Sequence, residues 1–274
     1  MDDGEGSLYL NLRKNHAMLI QEGFMVNVKA RSVETIMSEY TYVSQKKCPI
    51  CQNEFEATQV KSRVPMRVQD TDFCTHFKGF NPYFYSIWVC NHCGYAGADS
   101  WFCEPGPAAV EKLRTFLSGR EVHLDLGGER TFEKAVNAYK MAIFYAEMVK
   151  APASRLGGLL LKLAWVYRLE NKVEEEREVL EKAVVAYEEA LSKERMPIGN
   201  MTEVTLTYLV GELLRRIGNY QRAKLYFNQV ISNPLARGER NVFKMTRDAW
   251  NEIREEEKRQ KEEAEAQKAE KNMA

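Results

Sequence analysis

The chain has 274 residues, of which 45% are hydrophobic, and it carries 39 basic and 39 acidic residues. This length allows one large domain or two modest ones with a packed core. The zero net charge argues against broad, nonspecific binding to nucleic acid or to a membrane surface. The sequence contains no apolar run of about 18 residues, so we expect no membrane span. Six cysteines and no recognisable secretory signal favour a reducing compartment, so the predicted location is the cytoplasm.

The composition changes along the chain and predicts four parts. These are an N-terminal segment (1–43), a zinc-ribbon-like β head (44–104), a tetratricopeptide-like helical domain (105–253) and a charged tail (254–274). The fold class is therefore α+β. Met18 and Met25 are alternative starts, so the native role of the first segment stays open. The tail is either a solvated helix or disordered.

The head contains two short cysteine pairs, Cys48/Cys51 and Cys90/Cys93. Two residues between thiols let one metal ion take both sulfurs from a single tight turn, and two such turns supply the four ligands that zinc prefers. A closed four-cysteine shell leaves no open position, which favours a structural role. Iron is the smaller alternative, because this ligand set does not choose the metal, and a redox dithiol is a further one.

The turn after each pair needs a residue that tolerates a positive φ. Gly94 follows the second pair and meets this need. Gln52 and Asn53 follow the first pair, and we expect Asn53 to take the left-handed conformation.

The region between the pairs has strand-like stretches at 55–60, 64–68 and 83–89 and a loop that contains other candidate ligands. Cys74, His76 and Cys103, together with His92, are candidates for a secondary thiol or metal site, with free and partly buried thiols as the alternative. The pair Asp70 and Asp72 suggests either divalent-cation binding or capping of backbone N–H groups.

Everything after residue 131 is predicted to be helical, because apolar residues recur at helical spacing in successive stretches separated by short turns. The segment 211–234 resembles a tetratricopeptide repeat at Gly211, Gly218, Tyr220, Ala223, Phe227 and Pro234. Earlier copies are irregular. Five residues on the predicted concave face are candidates for holding a partner peptide, with ordinary helix surface as the alternative: Trp165, Arg168, Tyr208, Glu212 and Arg215.

Three blocks in the head also carry a family resemblance. They are KKCPIC at 46–51, DTDFC at 70–74 with KGFNP at 78–82, and WVCNHCGYA at 88–96. Together they resemble an uncharacterised bacterial family known only as a domain of unknown function, over about residues 46–234. The resemblance implies a zinc-ribbon-like head joined to tetratricopeptide-like helices in a cytoplasmic protein. It also implies that Asp72, Cys74 and Asn81 belong to the head's architecture, with Cys74 near the metal.

The predicted function is a zinc-stabilised, non-catalytic adaptor that binds a protein partner through its helices. One alternative is a nucleic-acid- or ribosome-associated zinc ribbon, since the head contains basic and aromatic residues that could form a nucleic-acid-binding surface. Another is a thiol redox sensor or enzyme that uses Cys74 or Cys103. No catalytic triad order, phosphate-binding loop or HExxH motif is present.

Overall fold

The structure is a computed structural model and describes residues 39–120 and 128–273, without the side chains of residues 264 and 266–273. The N-terminal segment up to residue 38, on which the question of alternative starts falls, lies outside the described residues.

Within the described residues, six short strands form three antiparallel pairs, each joining neighbours in sequence. The pairs are β1 (Thr41–Lys47) with β2 (Glu54–Val60), β3 (Met66–Gln69) with β4 (Thr75–Phe77), and β5 (Ile87–Val89) with β6 (Ala96–Ala98). In β2 the buried Phe55 and Ala57 alternate with exposed glutamates, as a sheet with one covered face requires. Strand β1 was not predicted.

The predicted strand at 83–89 is wrong in its first half. Residues Pro82–Tyr85 form a 3₁₀ helix, and only Ile87–Val89 form a strand. The Asn81 side chain accepts a hydrogen bond from the Tyr83 backbone N–H at 3.1 Å. Pro82 at the first helical position favours this turn, because its fixed φ suits a helix start.

Seven α-helices and a second 3₁₀ helix follow in the described part of the chain. They are α1 (Pro107–Leu117), α2 (Phe132–Met148), α3 (Ala153–Leu169), α4 (Val173–Lys193), α5 (Glu203–Arg216), α6 (Tyr220–Ser232), the 3₁₀ helix Pro234–Gly238 and α7 (Arg240–Met273). The fold class is thus α+β with a helical C-terminal part, as predicted. The charged tail belongs to α7.

Consecutive helices approach each other closely at two glycines, where no room is left for a side chain. A Cβ atom at Gly211 in α5 would lie 2.7 Å from the Phe227 ring of α6. In the preceding pair, a Cβ atom at Gly157 in α3 would lie 2.8 Å from the Tyr187 ring of α4. Both rings are buried, so neither can move aside without disturbing the core.

We expect Gly157→Ala to destabilise the protein by about 1–3 kcal/mol, because the added methyl group overpacks the contact with Tyr187. Gly158→Ala is the matched control, since its Cβ would meet only the Tyr187 hydroxyl, at 3.9 Å. Alanine is the better helix former, so we expect the control to be neutral or stabilising by up to about 1 kcal/mol. Urea unfolding of the two variants measures both effects, and equal unfolding midpoints would show that the close approach is unimportant.

The head and the helices share one continuous hydrophobic core. The buried Tyr139 hydroxyl of α2 donates to the Tyr83 backbone oxygen of the head at 3.0 Å. Arg130, just before α2, donates through Nη1 to the Ile87 backbone oxygen at 2.6 Å, and its burial lowers its pKa to about 10. These contacts fix the strand pairs against the first helices.

Candidate functional site

The two cysteine pairs lie at the tips of two strand pairs. Cys48 and Cys51 lie in the turn between β1 and β2, while Cys90 and Cys93 lie in the turn between β5 and β6. In both turns, the backbone N–H that follows the second cysteine donates to the carbonyl of the first, at 3.0 Å and 2.8 Å respectively. The two turns therefore have the same local backbone design.

The left-handed residue in each turn directly follows the second cysteine. Gly94 has φ 77° and Gln52 has φ 66°, so the prediction that Asn53 takes this conformation is wrong by one residue. Glycine adopts this φ without steric cost, whereas glutamine does not. The Gln52 side chain returns to the turn and donates to the Pro49 backbone oxygen at 2.9 Å, which helps to hold the conformation.

The four predicted sulfur ligands come together in the structure. The Cys48 and Cys93 sulfurs lie 3.6 Å apart, the Cys51 and Cys90 sulfurs lie 3.7 Å apart, and all four lie within 4.8 Å of one another. A tetrahedral site with metal–sulfur bonds of about 2.3 Å has sulfur–sulfur separations of ~3.8 Å. The cluster therefore can hold one metal ion with little movement.

Hydrogen bonding among these sulfurs shifts their acidity in opposite directions. Hydrogen bonding with Cys90 raises the pKa of Cys48, while hydrogen bonding with Cys48 lowers the pKa of Cys90. Hydrogen bonding with Cys48 also raises the pKa of Cys93. A metal ion binds thiolates, so it would replace the protons that the sulfurs otherwise share.

Four of the five residues predicted to hold a partner peptide instead contact the turn between β3 and β4, residues 70–74, which we call the DTDFC turn. The fifth, Arg215, pairs with Glu212 and with Glu252 of α7. The Tyr208 hydroxyl donates to the Thr71 backbone oxygen at 2.8 Å, and the Trp165 indole donates to Asp72 Oδ2 at 3.0 Å. This face is therefore covered, and the expectation that it is open to a partner is corrected.

Arg168 is the main contact between α3 and the DTDFC turn. Its Nη2 lies 2.7 Å from Asp72 Oδ2, its Nη1 lies 2.9 Å from Asp70 Oδ2, and its Nε lies 2.7 Å from Glu176 Oε1. Asp72 is 0% exposed. Burial alone would raise the pKa of Asp72, but the hydrogen bond from Arg168 and the nearby charge of Arg216 lower it. Asp72 thus stays ionised as part of a buried ion pair.

A second set of charges on α5 completes this ionic cluster. Glu212 is fully buried and accepts hydrogen bonds from Thr71 Oγ1 at 2.5 Å, from Arg215 Nη2 at 2.8 Å and from Arg216 Nε at 3.1 Å. Arg216 was not singled out in the sequence. Its position one turn after Glu212 on the same helix is the only sequence signal that could have found it.

The candidates for a secondary site separate in the structure. Cys74 and His76 lie with Asp70, within 4.8 Å of one another, and apart from the four-cysteine cluster. Cys103 is exposed, and His92 pairs with the Glu54 backbone oxygen at 2.9 Å. Neither joins the Cys74 group, so the proposed four-residue combination does not form. Burial of Cys74 raises its pKa to about 12.

The fold and this site define an α+β protein whose strand pairs carry a four-cysteine cluster that can hold a metal ion. A family model with the description "Uncharacterized protein conserved in bacteria (DUF2225)" matches residues 41–253. The chain therefore belongs to this bacterial family, and the predicted resemblance is confirmed. Comparison with curated proteins gives no match, and neither does comparison with solved structures.

Among the residues that the structure describes, no helix combines the length and the apolar composition that crossing a membrane requires.

Proposed function

We propose that this protein is a zinc-stabilised, non-catalytic adaptor of the bacterial cytoplasm that binds a protein partner through its tetratricopeptide-like helices. The observation that carries the proposal is a groove along one end of the helices that is lined by the exposed side chain of Val173. Beside this groove, α3 and α5 already hold a segment of the chain itself, the DTDFC turn, through Arg168 and Tyr208.

Zinc fits the proposal because four thiolates satisfy its tetrahedral preference and leave no position for substrate. The small strand pairs bury little apolar surface of their own, so metal ligation would supply stability to the head. Iron would fit the same four sulfurs. Elemental analysis of protein purified without air and without chelator distinguishes the two metals.

The partner would bind beside the covered face, in a groove along one end of the helices. One part of this groove has a volume of about 490 Å³ and the other a volume of about 500 Å³, and the two parts share Arg177, Ile217 and Gly218. Val173 lines the first part and is 67% exposed. A partner segment with an apolar side chain would cover Val173 and the partly buried Ile217 and place polar groups near Arg177.

Photo-crosslinking tests this proposal. A photo-crosslinking residue replaces Val173, and the variant is expressed and irradiated in the bacterial host. We expect a discrete protein adduct from this position. The matched control is Leu235, which is 73% exposed but lies outside the groove. We expect no such adduct there. A second variant that carries Arg177→Glu in addition should lose the adduct while its metal content stays unchanged.

The alternatives give different outcomes in the same experiment. Equal adducts from Val173 and Leu235, or none from either, would contradict partner binding at this groove. Crosslinking of the protein to nucleic acid would favour the nucleic-acid alternative, provided that the binding weakens steeply as the salt concentration rises. A redox role for Cys74 is not favoured, because its thiol is fully buried and its pKa is raised, which keeps it protonated.

A further inference from the structure

The DTDFC turn and the first residues of β4 bring together three different metal-binding side chains. A carboxylate oxygen of Asp70, the sulfur of Cys74 and a ring nitrogen of His76 lie within 4.8 Å of one another. Oxygen, sulfur and nitrogen donors of these types are all ligands of zinc and of similar borderline metals. The cluster lies outside the four-cysteine centre and outside the groove proposed for the partner.

The backbone of the turn explains why these three side chains meet. Asp70 directly follows β3 and Cys74 directly precedes β4, and the Asp70 backbone N–H donates to the Cys74 carbonyl at 2.8 Å. Cys74 and His76 are two residues apart on an extended chain, so they point to the same side. Phe73 has φ 70°, a conformation that is costly for a bulky residue and that is concentrated at functional sites.

The Nε2 atom of His76 is buried and pairs with Asp70 Oδ2 at 3.0 Å, so two of the three donor atoms already face each other. The rest of the His76 side chain is 30% exposed and that of Asp70 is 24% exposed, so the cluster has a side that faces solvent.

The surrounding charges also favour a cation. The buried and half-buried part of the ionic cluster has four carboxylates and three guanidinium groups, a net charge of −1: Asp70, Asp72, Glu176 and Glu212 against Arg168, Arg215 and Arg216. A bound cation would offset this negative charge.

We propose that Asp70, Cys74 and His76 form a second metal site that takes Zn²⁺ or a similar borderline divalent ion. Metal bonds of 2.0–2.3 Å give ligand separations of about 3.3–3.7 Å in a tetrahedral site. The Asp70–His76 contact must therefore widen by a few tenths of an ångström. Three protein ligands leave a fourth position on the solvent-facing side, where water binds. Binding releases the Cys74 proton to solvent.

Metal at this site competes with Arg168 for Asp70. Arg168 Nη1 lies 2.9 Å from the same Asp70 oxygen that approaches His76. Arg168 keeps its shorter contact with Asp72 when Asp70 turns toward the metal, because Asp72 is held separately through Nη2. The second site thus lies at the contact between the head and α3 without being required to hold that contact together.

Metal titration of the full chain tests the proposal. Protein stripped by chelator under anaerobic conditions is titrated with Zn²⁺, and with Co²⁺ as a spectroscopic probe. We expect about two equivalents per chain, one for each proposed site. His76→Ala and Cys74→Ser should each bind one equivalent fewer. Loss of Cys74 should also remove one thiolate-to-Co²⁺ charge-transfer contribution.

Cys103→Ser is the matched control, because Cys103 is exposed and lies outside both clusters. It should keep both equivalents. The second site is ruled out if the unaltered protein, His76→Ala and Cys74→Ser each bind a single equivalent of metal. His76→Ala removes a partly exposed side chain, so folding should persist, and circular dichroism checks this. The titration involves no protein partner, so its failure is distinct from failure of the crosslinking experiment.

Discussion

Cys90→Ser is expected to cost the protein one equivalent of metal and the ordered structure of its head. The Cys90 sulfur is fully buried within the four-cysteine cluster, and a serine hydroxyl is a poor replacement for a thiolate. Structural zinc sites contribute roughly 10–16 kcal/mol of binding free energy, which is comparable to the stability of a whole domain. Elemental analysis measures the metal, and limited proteolysis between residues 41 and 104 measures the order of the head.

Cys103→Ser again serves as the control for the loss of a thiol. It should retain the metal and the protease resistance of the unaltered protein, since Cys103 is exposed. Prolonged treatment of the unaltered protein with a strong chelator should reproduce the behaviour of Cys90→Ser. A Cys90→Ser protein with full metal content and an intact head would refute the four-cysteine centre.

Arg168→Met is expected to destabilise the protein by about 3–5 kcal/mol, because it leaves the buried Asp72 carboxylate without its main counter-charge. Methionine keeps much of the apolar stem of arginine, so the loss reports the charge more than the packing. Burial by itself would lower the pKa of Arg168, but the hydrogen bond to Asp72 raises it, which agrees with a strong pairing. Urea unfolding measures the change.

Arg177→Met provides a matched control on the next helix. Arg177 lies 3.5 Å from Glu181, and both side chains are more than half exposed. Such a pair contributes no more than about 0.5 kcal/mol. The double variant of Arg168→Met with Asp72→Asn should be less destabilised than the sum of the two single changes, since the unpaired charge is then absent. If Arg168→Met costs no more than Arg177→Met, the buried ionic cluster is not a major source of stability.

Local rules explain most of what the sequence predicted correctly. The spacing of the cysteine pairs identified the four sulfurs, because two intervening residues suit one metal-binding turn. Apolar residues at helical spacing predicted the helical half. The errors were also local. Gln52 takes the left-handed conformation that was assigned to Asn53, because the geometry of the turn requires it directly after the second cysteine.

The concave-face prediction failed for a different reason. The sequence predicted Trp165, Arg168, Tyr208, Glu212 and Arg215 as a partner-binding face, but it could not identify the segment of the chain itself that contacts four of them. Asp72 and Arg168 are 96 residues apart in the sequence. Helix periodicity and charge pattern are local, so they do not predict which distant turn packs against this helical face.

The sequence by itself thus determined the helices and the two cysteine pairs, since each depends on neighbours within a turn or two of the chain. Only the tertiary structure decided that the DTDFC turn covers this helical face and that the donor atoms of Asp70, Cys74 and His76 come together. The Asp72 carboxylate can be buried at low cost only because Arg168 and Trp165 of α3 donate hydrogen bonds to it. That condition depends on how the head packs against the helices.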